Sequence, residues 1–122
     1  MRFVVENLRE LGIQAESTLK ESYGVNAVEG QLLEMLQLLK SNTKFKSEFV
    51  QVLLEFLDEG NAPYEVVQFC MRELQWPEIK QHAQNMLESS DDPRVHKVAN
   101  EVLAVYGEAW EDEDLFSYYS KD

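Results

Sequence analysis

One spacing constrains this chain more than any other. An apolar residue, followed by others four, seven and eight positions later, recurs from Leu11, Val28, Phe45, Ala62, Ile79 and Val95, with Thr18 in one slot. The steps are 17, 17, 17, 17 and 16 residues. Apolar groups at this spacing share one face of an α-helix, and period-2 alternation is absent, so the chain reads as all-α. Each step has room for one helix and one short turn, and short turns make successive helices antiparallel neighbours. A pair takes about 34 residues, within the range of helix-pair repeats. The expected fold is antiparallel helical hairpins stacked in a short right-handed, HEAT-like solenoid, with a compact bundle as the alternative. Residue identity does not repeat from step to step.

The stripes predict the elements in turn. Val4, Leu8, Leu11, Ala15 and Leu19 line a first helix, which Gly12 weakens and marks for a break. Gly24 suits its left-handed C-cap, and Asn26 suits the N-cap of a second helix. Ser41, Asn42 and Thr43 turn the chain and supply the next cap. The third helix, about 44–58, is apolar on two faces and therefore central. Three more helices begin at Pro63, Pro77 and Pro93, where a missing N–H costs nothing, and Asp92 suits an N-cap. Gly60-Asn61 and Gly107 act as stops. Length gives one domain over 1–122, with 107–122 an acidic and aromatic C-terminal segment.

The net charge is −12, and it is uneven along the chain. Residues 1–49 hold seven acids and six bases, whereas residues 50–122 hold sixteen acids and five bases. A negative field repels nucleic acid and anionic membranes and speeds encounter with cationic proteins. No run approaches the roughly 18 apolar residues of a membrane span, and the first residues lack the apolar stretch of a signal peptide. Cys70 is the single cysteine, so no intramolecular disulfide forms. The expectation is a soluble cytoplasmic protein that binds neither nucleic acid nor membrane.

No catalytic constellation stands out, and none for a cofactor or metal. Glu78 and His82 are four apart on one helix face, but with no third ligand nearby a surface ion pair is expected. His96 is expected in solvent, and Cys70 as a buried structural thiol. Trp76, extended before Pro77, is read as a wedge between two hairpins. The chain has no glycine-rich phosphate loop and no basic patch interleaved with aromatics. An enzyme is therefore not expected.

The feature with functional promise is Trp110-Glu111-Asp112-Glu113-Asp114-Leu115-Phe116-Ser117-Tyr118-Tyr119. It sets four carboxylates between a tryptophan and an aromatic cluster. Large aromatics anchor interfaces, and acidic rims steer basic partners. The candidate binding residues are Trp110, Asp112, Asp114, Phe116, Tyr118 and Tyr119, with Glu111 and Glu113 as steering rim. The same segment also reads as a cap, with Leu115, Phe116 and one tyrosine closing the core while the acids face water. The two readings are compatible.

Residues 64–78, Tyr-Glu-Val-Val-Gln-Phe-Cys-Met-Arg-Glu-Leu-Gln-Trp-Pro-Glu, together with 110–119, resemble segments of small acidic α-helical immunity proteins. These are encoded beside bacterial toxins, including contact-dependent growth inhibition effectors. The resemblance spans roughly residues 60–119 and carries over no binding residue by an exact pattern. It implies a cytosolic inhibitor that binds and blocks a toxin domain, often a basic nuclease. Two other readings remain: a helical-repeat adaptor with an apolar groove, and a mimic of nucleic acid with carboxylates spaced like phosphates.

Overall fold

The computed structural model describes residues 2–21, 28–59, 63–107, 110, 116, 118 and 119, with backbone alone at 2 and 19–21. Among the described residues six α-helices run in order: α1 (Arg2–Glu21), α2 (Glu29–Ser41), α3 (Lys46–Glu59), α4 (Tyr64–Leu74), α5 (Pro77–Ser89) and α6 (Pro93–Ala104). A 3₁₀ turn, Thr43–Phe45, leads into α3. There is no strand among the described residues, and no helix is long and apolar enough to cross a membrane.

The helices pair into three hairpins, and the hairpins stack. α1, α3 and α5 pack side by side in one layer, and α2, α4 and α6 in the other. Hydrogen bonds between neighbours show that helices within a layer run parallel. Gln68 and Arg72 of α4 reach the carbonyls of Glu101 (2.7 Å) and Val105 (3.1 Å) at matching steps along α6. The all-α expectation holds, with helices at the anticipated spacing.

The core lies between the layers. Leu8, Leu11 and Ala15 of α1, Leu32, Met35, Leu36 and Leu39 of α2, and Phe49, Val52, Leu53 and Phe56 of α3 are buried. α3 also buries Val50 and Leu57 on a second face, and it touches α1, α4 and α5. It is the central helix that its two apolar faces predict. Fully burying a side chain of this size stabilises by about 1.5–3 kcal/mol. The repeated stripes are therefore what hold the layers together.

Gly12 does not break α1, which runs through it. A Cβ there would lie 2.4 Å from Cζ of Phe56, so the glycine lets the α3 ring lie against the α1 backbone. Asn42 also serves a different end from the expected one. Its Nδ2 donates to the Leu38 carbonyl at 2.9 Å and closes α2, and its side chain does not cap the 3₁₀ turn. Asp92 caps α6 as anticipated, its carboxylate accepting from the Arg94 N–H at 2.9 Å. Pro77 and Pro93 occupy the first turns of their helices, while Pro63 precedes α4 as its N-cap residue. The predicted caps at Gly24 and Asn26 and the stop at Gly60-Asn61 lie outside the described residues.

The link from α4 to α5 is tight. Gln75 takes the left-handed conformation (φ 54°), which is unusual without glycine. Its side chain compensates by donating to the carbonyls of Met71 (2.8 Å) and Val105 (2.9 Å). Trp76 is then extended and half-buried against the core, and its carbonyl accepts from the Tyr106 hydroxyl at 2.8 Å. It sits at the junction of the second and third hairpins, where a wedge is expected.

Candidate functional site

The C-terminal aromatics converge on Phe69 of α4. Phe116 and Tyr119 place their ring centroids 5.0 Å from it, and Tyr118 lies at 5.8 Å. Trp110 stacks on Phe116 at 5.7 Å. The Tyr119 hydroxyl donates to the Phe69 carbonyl, and burial pushes its pKa up. Trp110 is 5% exposed and Phe116 1%, so both belong to the core and offer a partner almost no surface. Their candidacy as exposed anchors gives way to the capping reading, because edge-to-face and stacked rings gain more against Phe69 than in water. Tyr119 is half-buried, and Tyr118, 39% exposed, is the one that stays open. Glu111, Asp112, Glu113 and Asp114 lie outside the described residues.

Tyr118 is tied down at both ends. Its N–H donates to Glu29 at 2.8 Å, and its hydroxyl donates to Glu73, which also pairs with Lys40 at 2.5 Å. The Lys40 ammonium, followed by the Tyr118 hydroxyl, holds the Glu73 carboxyl below its usual range. The same carboxylate raises the Lys40 and Tyr118 values. Tyr118 thus bridges α2 and α4.

The remaining charges are sorted by the ends of the helices, not by the halves of the chain. Bases from the first half neutralise acids of the second: Arg9 forks onto Glu55 (3.0 and 3.3 Å), Lys40 pairs with Glu73, and Lys46 pairs with Glu78 (3.3 Å). Lys97 lies near the start of α6, whereas Lys40, Lys44, Lys46 and Lys80 gather where α2 ends and α3 and α5 begin. Lys46 and Lys80 lie over the rings of Trp76 (5.3 Å) and Tyr106 (5.9 Å) there. At the opposite end, where α3 and α5 finish and α4 and α6 start, carboxylates accumulate. Glu59, Glu88 and Asp91 form no ion pair among the described residues. Asp91-Asp92 and Glu55, Asp58, Glu59 read from sequence as separate acidic clusters, and only the fold brings acids from these segments to one end.

Glu78 and His82 do not pair with each other. Both turn to α3, where Lys46 takes Glu78 and Asp58 takes His82 at 2.8 Å. His96 is not free in solvent: it is half-buried, and its Nε2–H donates to the Ser90 carbonyl. Cys70 is fully buried, as anticipated, and burial pushes its thiol up to about 12. No group of three or more metal-ligating side chains occurs among the described residues. Comparison with known protein families, with curated proteins and with solved structures finds no match to this chain.

Proposed function

We propose that this chain is a non-catalytic binding protein of the immunity type, a stoichiometric inhibitor of a cationic toxin domain, with a basic nuclease as the partner to test first. The observation that carries the reading is the acidic end of the helical stack. There Glu59, Glu88 and Asp91 form no ion pair among the described residues, and the whole chain has 23 acids against 11 bases, so internal pairing leaves a large negative excess. A nuclease site built to hold phosphates is cationic, and such a field raises its encounter rate with this surface. Phe116, Tyr118 and Tyr119 cover Phe69 of α4, so an adaptor groove would have to lie elsewhere.

The test is a titration of the toxin domain encoded beside this chain. The reading expects a one-to-one complex by light scattering and loss of toxin activity that is complete at equivalence. A basic toxin domain that forms no complex and keeps full activity in excess of this protein would rule it out.

A further inference from the structure

At the acidic end, two clefts of about 340 and 290 Å³ meet between α3, α6 and the start of α4. Leu57 and Val98 line both, so the two adjoin across these side chains. Phe56, Leu57, Met86, Val95 and Val98 give the cleft an apolar floor. Glu16, Asp58, Glu59, Glu65 and Asp92 lie around it, Asp58 bonded to His82, and Arg94 is the cation among the described lining residues. Arg94 is itself held by Asp92 at 3.2 Å.

We infer that this cleft receives a cationic amphipathic segment of a partner protein, with an apolar side chain on the floor and lysine or arginine side chains against the carboxylates. The inference rests on the reading above and gives that acidic surface an address. Each cleft has the volume of roughly ten waters at about 30 Å³ apiece, enough for a large side chain. An anionic or neutral ligand would leave the Glu59 and Glu65 carboxylates uncompensated, and a bare cation would leave the floor wet. A basic segment with an apolar residue between its charges satisfies both.

Glu65 adds an independent sign. Burial, then Glu16 and Glu101, raise its pKa, and only Lys97 and a local backbone hydrogen bond oppose them. A half-buried carboxylate with carboxylates for neighbours is a cost to folding that a partner's cation would relieve. Sites that sacrifice stability in this way are commonly kept for binding.

The test uses the full chain, labelled with ¹⁵N, and two probes: a 14-residue amphipathic helix of lysine and leucine, and an oligolysine of the same length. The proposal expects the amphipathic peptide to bind about tenfold more tightly than oligolysine, a difference of about 1.4 kcal/mol. Amide shifts should centre on 57–59 and 94–98. Val98→Asn, which changes polarity and not charge, should weaken the amphipathic peptide about tenfold and leave oligolysine unchanged. Glu65→Gln should weaken the peptide and also raise Tm, a pairing that a merely structural carboxylate would not give; it serves equally if Val98→Asn does not fold. Equal binding of both probes, or shifts elsewhere, overturns the cleft while the acidic-surface reading survives. If neither probe binds at low salt, both fall.

Discussion

Gly12 shows how one residue can be read correctly as unusual and wrongly as a break. Its cost in a helix is about 1 kcal/mol relative to alanine, which is all the local sequence reveals. The reason for it is Phe56, 44 positions away, whose ring leaves no room for a Cβ. Gly12→Ala should therefore destabilise the fold by about 1–3 kcal/mol in chemical denaturation, despite alanine's better helix propensity. Combining it with Phe56→Leu should recover part of that loss, since the clash goes with the ring. Glu73 and Glu65 make opposite predictions with pH. The Glu73 carboxyl is held below its usual value, so its contribution is full above about pH 4.5 and fades as pH falls through the depressed value. Glu65 is raised, so the folded form loses stability as pH climbs from about 4.5 through its elevated value. The denaturation midpoint at pH 7 should fall in Glu73→Gln and rise in Glu65→Gln, and both differences should shrink at pH 3.

Among the elements, the C-terminal segment differs most from its sequence reading. Trp and Phe beside a charge run look like interface anchors, yet Phe116 packs on Phe69 and Trp110 stacks on Phe116. Which side of an aromatic segment faces inward depends on what it meets, and α4 is more than 30 residues distant in sequence. Phe116→Ala should accordingly cost about 3–5 kcal/mol in denaturation, as for a core aromatic. An interface residue would change stability little. The helices themselves were legible, because each carries its stripe at regular spacing, and Asp92 announced its cap. The ends were less so: Asn42 faces back to Leu38, and Gln75 closes α4 in a conformation that the residue type does not advertise. Within α4, Cys70 gives a direct probe of rigidity. Its thiol is buried and pushed up to about 12, so alkylation near pH 8 should be no faster than unfolding.

Across the whole molecule, charge and topology combine in a way that the linear chain conceals. Counting by halves places the negative field in residues 50–122, but Arg9, Lys40 and Lys46 cross over to neutralise part of it. Alternation of helix direction then brings Glu59, Glu88 and Asp91 to one end of the stack and Lys40, Lys44, Lys46 and Lys80 to the other. The net charge was readable from composition alone, whereas its address needed the hairpins. The most direct measurement is the association rate of a basic nuclease toxin domain, the proposed partner, with this protein across ionic strength, for the wild type and for Glu59→Lys combined with Asp91→Lys. The account predicts a wild-type rate that falls steeply with salt, and a doubly substituted protein that associates about tenfold more slowly at low salt with a shallower dependence. Equal rates and equal salt slopes for the two proteins would contradict it.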